Sequence, residues 1–586
     1  MRPFFAWWTG HGFTGLSEEA VDAIRWAARG LALFALGTFA VLVFERGAPR
    51  SPAEQSWEAS VQYGVLLVAA LGCLIAFKWE GLGGWIVTAS SVALGVFASV
   101  AYQPGVALFG CLAFFVPGAL FLIHWQHHRP RYYLVFAIGG MAALLTVGAA
   151  YSLQVYNYHN GPTHPASEVD AIPVDLASWA WSGAVTSDSF TVKARLADAD
   201  DGTPGLRVSS PKPGIPTVIV SPMEGPTEDT DVVTYRVTRL LPDTTYEYAL
   251  QLGDHTDEGR KGRVRTFPTG TATFTIAVAS CAQTGSNGQV YDRIRESNPL
   301  VYIVPGDIHY ENISTSDLSR MRTALQRVLE SPAQQALYLS TPIAYTWDDH
   351  DFGGDGSDST SKARAAVQAV YREFVPHYAF EERETTGPIY QAFSIGRVRF
   401  IMTDTRSERS PAGNTQDTTR TMLGAAQKEW LLQELLAARD SHALTVWVNG
   451  IPWIAPEADG RDDWGGYAVE RREISDFIAA NRITNLAMLS GDAHMLAVDD
   501  GSNNTFDSAG TGPGFPVFHA AALDRRGKVK GGPYSEGTYP GGGQFGLMTV
   551  TDSGPSIRVQ WSGENYLGEV LVSYEFEYRV GSGPGP

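Results

Sequence analysis

The stretch TPIAYTWDDHDFGGDGSD, Thr341 to Asp358, decides how the rest of the chain is read. Its first seven residues have the character of a buried strand, and the eleven positions from Asp348 to Asp358 then hold five aspartates and one histidine. Like charges crowded beside a strand end raise one another's pKa and destabilise a fold unless a cation neutralises them. A solvated acidic turn is the plain alternative. A calcium-binding EF-hand loop is another, but counted from Asp349 its twelfth position is Thr360 instead of glutamate. The choice therefore depends on what stands at the other strand ends.

From about residue 271 onward, apolar β-rich runs alternate with helical spacing, the pattern of a layered α/β domain. The runs are FTIAVAS, LVYIVPGD, TPIAYTW, VRFIMTD, LTVWVNG and NLAMLSGD. Helical spacing lies between them at Leu318, Met321, Leu325, Val328 and Leu329, and again at Ala363, Val367, Val370, Tyr371 and Phe374. Open α/β sheets place their sites beyond the carboxyl ends of strands. Cys281 follows the first run, Asp307, His309, Tyr310 and Glu311 the second, the acidic cluster Asp348 to Asp358 the third, and Asp492 and His494 the last. Taken alone, Cys281 is either an inert buried thiol or a ligand; Cys73 and Cys111 lie in distant apolar stretches, so no disulfide partner is at hand. Asp492 and His494, two apart, reach inward together if their loop kinks. Four such pieces at successive strand ends make a multinuclear metal site the economical reading.

Ahead of this domain the patterning changes twice. Between 160 and 269, SFTVKARLAD, DVVTYRVTRLL, TTYEYALQLG and GRVRTFP alternate apolar and polar residues, which predicts a small fibronectin III-like β-sandwich. Residues 1–158 carry five nearly uncharged stretches, roughly 27–44, 61–77, 81–101, 104–124 and 132–155. The last four are long enough to cross about 30 Å of hydrocarbon, so a membrane domain of about five transmembrane helices is expected. With a cytoplasmic N-terminus, Arg2, Arg25, Arg29, Lys78, Arg129 and Arg131 fall inside and only Arg46 and Arg50 outside, which puts everything after the last span outside the cytoplasm. The expected architecture is thus an α+β multidomain chain: transmembrane helices over 1–158, a β-sandwich over 160–269 and a layered α/β domain over 271–586. A formal charge of -18 argues against a nucleic-acid partner.

The series ASC, GDIHYEN, WDDHDFGGDGSD, TDTR, LGAAQKEWLL, DDWGGYAVERR and LSGDAH resembles the PhoD-like alkaline phosphatases, a branch of the calcineurin-like metallophosphatases. The likeness runs over roughly 165–580 and includes a small β-domain ahead of the catalytic one. It implies a metal-dependent hydrolase of phosphate esters, a phosphodiesterase and/or alkaline phosphatase in which a metal-activated water attacks phosphorus. It further implies that Asp307 bridges the metals, that Cys281 and Tyr310 are ligands to Fe3+, and that Asp349, Asp492 and His494 complete the shell. His350 takes the position that contacts the phosphoryl group. Oxygen-rich ligation of the second site is compatible with Ca2+. Arg406 in TDTR is either a bidentate phosphate contact or a structural ion pair. The chain departs from the pattern at Asp355, where relatives carry asparagine, and after LTVWVNG, where only Asn449 replaces a frequent histidine ligand. The implied partners are the bilayer and a phosphate ester such as a lipid head group or wall polymer. A non-catalytic, metal-stabilised cell-surface binding protein is the other class, and its mark would be a missing Asp307 or His350; both are present.

Overall fold

The computed structural model describes residues 17–46, 57–101, 104–127, 164–198, 202–227, 230–380, 387–520, 522–525 and 527–580. They belong to two compact units, 1–161 and 162–586.

In the first unit, helices α1 (Glu18–Arg46), α2 (Trp57–Ala76), α3 (Glu80–Ala101) and α4 (Pro104–His127) pack through small side chains. Ala28, Ala32, Ala69, Cys73 and Ala76 are buried, whereas Leu33, Phe34, Leu74 and Leu82 are more than half exposed. At Gly118 an added Cβ would lie 2.6 Å from Thr88 Oγ1, so α3 and α4 approach as closely as backbone allows. At one end Glu80 pairs with Arg25 Nε and His124 Nδ1, both at 2.6 Å, tying α1, α3 and α4 together. Among the described residues no helix is long and apolar enough to cross a membrane. The membrane domain expected from hydropathy therefore has no support from these helices, and its fifth stretch, 132–155, lies outside the described residues.

The second unit begins with strands β1 (Ala177–Gly183), β2 (Phe190–Leu196), β3 (Gly205–Ser209), β4 (Val218–Val220), β5 (Val232–Val237), β6 (Thr245–Leu252), β7 (His255–Thr256) and β8 (Gly262–Arg265). Then come β9 (Thr273–Val278), β10 (Tyr302–Val304), β11 (Ile343–Tyr345), β12 (Gln391–Ile395), β13 (Val398–Met402), β14 (Leu444–Asn449) and β15 (Leu486–Ser490). The last are β16 (Met495–Asp499), β17 (Val517–His519), β18 (Thr538–Pro540), β19 (Gln544–Asp552), β20 (Ser556–Asn565) and β21 (Val570–Arg579). One sheet runs β21-β20-β19-β9-β10-β11-β1-β2-β5, a second β12-β13-β14-β15-β17-β16-β18, and a third joins β4, β3 and β6, with β7 and β8 both on β6. The strands β9, β10 and β11 are parallel, as are β13, β14, β15 and β17.

Central strands bury both faces, which is why they read as continuous apolar runs instead of alternating ones. On β9, Ile276 and Val278 enter a core shared by the two large sheets, while Ala277 packs on the opposite side with Val290, Ile294, Met321 and Leu325. On β14, Val446 and Val448 enter the shared core, and Trp447 packs with Leu431, Leu435, Ile474 and Ile478. The result is a helix–sheet–sheet–helix layering, with helices Gln289–Glu296, Leu318–Leu329, Pro332–Ser340 and Arg364–Phe374 outside one sheet, and Ala425–Ser441 and Ala468–Ala480 outside the other.

The segment 160–269 does contribute two facing layers, β1-β2-β5 and β3-β6-β8, but they do not form a separate compact unit. Gly183 of β1 pairs with Ile343 of β11, making the first layer continuous with the sheet that holds β9, β10 and β11. Phe190, Val192 and Tyr235 share one core with Tyr246, Phe274 and Phe393. The attachment is also polar: Trp181 Nε1 donates to Phe374 O (2.8 Å), and Lys193 Nζ donates to Arg372 O (2.6 Å) and Glu373 O (2.9 Å). These bonds satisfy carbonyls at the end of the helix Arg364–Phe374 that have no partner within it.

Candidate metal centre

The parallel strands β9, β10, β11 and β15 all end on one side of the fold, and the chain leaves three of them through left-handed backbone. Cys281 (φ 60°), Asp307 (φ 57°), Asp492 (φ 61°) and His494 (φ 49°) all adopt this conformation, which costs a non-glycine residue about 1–3 kcal/mol. The turn swings each side chain out of the strand line and toward a common centre. Gly306, at φ 122°, lets the ends of β10 and β11 meet, since a Cβ there would lie 2.4 Å from Asp348 Cβ.

Asp307 is the hub. Its Oδ2 accepts from the Tyr310 hydroxyl at 2.7 Å and lies 3.6 Å from Cys281 Sγ, and Tyr310 Oη is 2.9 Å from His494 Nε2. Its Oδ1 accepts from the His350 backbone N–H at 3.3 Å. Three sets of side chains bring ligand atoms within 4.8 Å of one another: Cys281, Asp307 and His494; Asp307, Asp349 and His350; and Asp307, Asp348 and Asp492. Asp307 belongs to all three.

Other side chains hold this arrangement. Asp351 accepts from the backbone N–H groups of Asp307 (2.6 Å), Asp348 (3.2 Å) and His309 (3.2 Å), lashing the β10 and β11 turns together. Asp349 Oδ2 accepts from Gly356 N at 2.7 Å, and His350 Nδ1 faces Asn312 Oδ1 at 2.5 Å.

Burial and the neighbouring Asp349 and Asp348 carboxylates push the Asp307 carboxyl well above the usual range. Burial also raises Asp348, despite Arg406, and Asp492, despite Lys530, and lifts Asp351 to about 7. Asp349 goes the other way: burial opposes its charge, but Arg406 and His350 hold it below the usual carboxylate range. Burial drives the Cys281 thiol and the Tyr310 phenol upward. Asp348 Oδ2 is buried with no hydrogen-bond partner. Asp349 apart, these crowded carboxylates, with the thiol and phenol beside them, are disfavoured as anions and form a donor set that a multivalent cation relieves.

Two sequence candidates fall elsewhere. Arg406 is fully buried and donates from Nε to Asp348 Oδ1 (2.6 Å), from Nη1 to Ser357 O and Asp462 Oδ1 (3.2 Å each), and from Nη2 to Asp462 Oδ2 (3.2 Å). A guanidinium so enclosed has no face for a phosphate, so the ion-pair alternative is the one this residue adopts. Asn449 is likewise turned inward, donating to Ile451 O (2.5 Å) and accepting from Trp464 Nε1 (3.1 Å). Asp355 lies exposed on the turn, and Glu311 pairs outward with Arg327 at 3.1 Å. Four neighbours of the centre escaped the sequence reading. Asp462 opens the DDWGGYAVERR segment. Lys530, which pairs with Asp492 Oδ1, and Arg525, whose Cζ lies 4.0 Å from the Tyr310 ring, belong to RRGKVK, a basic run conspicuous in an acidic chain. Asn312 closes the GDIHYEN segment, where nothing in its spacing marks it out.

Residues 276–530 match the family described as PhoD-like phosphatase, and residues 17–133 match a domain of unknown function, DUF7670. Over 305 residues the chain is 26% identical to alkaline phosphatase D of Bacillus subtilis (strain 168), a match over 44% of this chain and 52% of that protein. The chain thus spans about half the length of that relative. A solved structure titled as that of PhoD has a TM-score of 0.56 and 19% identity, over 71% of this chain and 92% of that one, a likeness of fold.

Proposed function

We propose, from the PhoD-like phosphatase match over residues 276–530, that this chain is a metal-dependent hydrolase of phosphate esters, foremost a phosphodiesterase with secondary phosphomonoesterase activity. The observation that carries the reading is the convergence of three potential ligand sets on the single carboxylate of Asp307. Cys281, Tyr310, His494 and Asp307 would hold a ferric ion, the soft thiolate and phenolate favouring iron. Asp307, Asp349 and Asp492 would offer the oxygen-rich side to calcium. When bound, such cations acidify water and neutralise charge on phosphoryl oxygens.

The chain's own groups supply the remainder. His350 is held through Nδ1 by Asn312 and packs against Tyr310 at a tilt of 34°, with ring centroids 4.0 Å apart, which leaves Nε2 as the atom that moves a proton at the leaving oxygen. Burial keeps this imidazole below its usual pKa, so it is neutral until a phosphate arrives. Arg406 acts at one remove by holding Asp348.

The unit 1–161 serves in this reading as a membrane tether, supported by large apolar side chains left facing outward, Trp26, Leu33, Phe34, Leu74 and Leu82 among them. The bias of basic residues places the hydrolase outside the cytoplasm in the same reading, near lipid head groups or wall polymers. The test is hydrolysis of bis(4-nitrophenyl) phosphate beside 4-nitrophenyl phosphate by full-length protein supplied with iron and calcium, with His350→Ala as control. Turnover of both esters, faster on the diester and lost in the variant, is expected. Inactivity on both with metal content verified would overturn the reading.

A further inference from the structure

Arg406 is spent on Asp348 and Asp462, Lys530 on Asp492, and Arg409 on Asp462, so none of these cations has charge to spare for a substrate. Arg525 differs. Among the described residues it makes no ion pair; its Nη1 donates at 2.6 Å to Gln283 Oε1, a neutral amide, and its Nε is buried without a partner. Its Cζ sits 4.0 Å from the centroid of Tyr310, whose hydroxyl is bonded to Asp307 and whose ring packs at a tilt against His350.

The backbone fixes this position. Leu523 N donates to Ser280 O at 3.1 Å, and Gln283 N donates to Asp524 Oδ1 at 2.5 Å, so the segment before Arg525 is bound on both sides of the turn that carries Cys281. An aromatic face favours a guanidinium without neutralising it, and a guanidinium fork matches two phosphoryl oxygens at once. We propose that Arg525, seated on Tyr310, grips the phosphoryl oxygens of the substrate, the task for which Arg406 has no free donor. The inference rests on the phosphate-ester reading and names the residue that sets affinity for the phosphoryl group.

The test is calorimetric titration of inorganic phosphate into full-length protein loaded with iron and calcium. Arg525→Ala, Arg525→Lys and Lys528→Ala are compared with the parent, with bis(4-nitrophenyl) phosphate turnover run in parallel. Loss of a charge-assisted pair predicts phosphate affinity roughly 10- to 100-fold weaker in Arg525→Ala. Arg525→Lys keeps the charge but not the fork and is expected between that variant and the parent. Lys528→Ala, altering an exposed side chain of the same basic run, is expected within about twofold. Unchanged phosphate affinity in both Arg525 variants overturns the inference, as does an equal loss in Lys528→Ala, which would mean only general charge. Arg525→Lys keeps the question decidable if Arg525→Ala fails to fold. Parent protein that shows Arg525-dependent phosphate binding but no turnover removes the hydrolase reading and leaves the grip standing. Normal turnover with Arg525-independent phosphate affinity removes the grip alone.

Discussion

Asp307 sits under two opposed demands. It is the side chain common to every potential ligand set, and it is also a buried carboxyl beside four other aspartates, Asp348, Asp349, Asp351 and Asp492. Asp307→Asn relieves the second demand while failing the first. Without metal, the variant is expected to unfold at a higher temperature than the parent at pH 8; with metal, it should retain at least tenfold less iron and calcium. Thermal unfolding in chelator and elemental analysis check both halves, and a lower unfolding temperature in chelator would refute the electrostatic argument. The same crowding sets a pH dependence. A carboxyl whose folded pKa is raised contributes stability that is complete below its unfolded value and is lost as pH rises through the folded one. For Asp351, raised by burial to about 7, the window runs from the ordinary carboxyl value of 3.8 to about 7, and Asp307, Asp348 and Asp492 shift in the same direction. Metal-free protein is therefore expected to melt at a higher temperature at pH 5 than at pH 8, and added metal should stabilise it most at pH 8. A flat profile in chelator would remove the burial argument.

Among the elements, the helix Arg364–Phe374 links the sandwich strands to the layer that backs the centre. Its last carbonyls take donors from Trp181 of β1 and Lys193 of β2, a long cation threaded through a buried strand face to end a helix. Lys193→Ala removes two hydrogen bonds to a charged donor and is expected to destabilise the second unit by about 1–3 kcal/mol, without changing metal content. Chemical denaturation followed by tryptophan fluorescence measures this, and an unchanged midpoint would mean the helix end is satisfied otherwise. A second prediction at this scale concerns the close approach of β10 and β11. Gly306→Ala removes no ligand, yet its Cβ would meet Asp348 Cβ at 2.4 Å in a left-handed backbone position. Metal retention should fall in this variant as it does when a ligand is lost; full retention would show that the strand ends yield without consequence.

At the scale of the whole molecule, the two units present opposite surfaces. The second buries Trp179, Trp181, Trp447, Trp453, Trp464 and Trp561, whereas the first exposes Trp26, Phe34 and Leu74 around buried alanines. If the first unit is a tether, full-length protein remains in the membrane fraction after an alkaline carbonate wash and is released by detergent; release by carbonate alone would exclude the tether. Much of the second unit was legible beforehand for a local reason. Strand runs follow from side-chain alternation and from burial of both faces, and polar residues follow strands at short, countable intervals, so Cys281, Asp307, the acidic cluster after Trp347, Asp492 and His494 stand out from their neighbours alone, whereas the choice of Tyr310, Asp349 and His350 rests on the resemblance to the PhoD-like family. Pairings across long separations were not legible. Arg406 meets Asp348 across 58 positions, Lys530 meets Asp492 across 38, and Arg525 reaches Gln283 across 242. The continuity of β1 with β11, which merges the sandwich into the larger unit, is of the same kind. The sequence by itself determined which residues stand at the strand ends, because periodicity and spacing act along the chain. Only the tertiary structure decided which cation is consumed and which is left facing the centre, because that depends on which side chains the packed sheets bring within a few ångströms of one another.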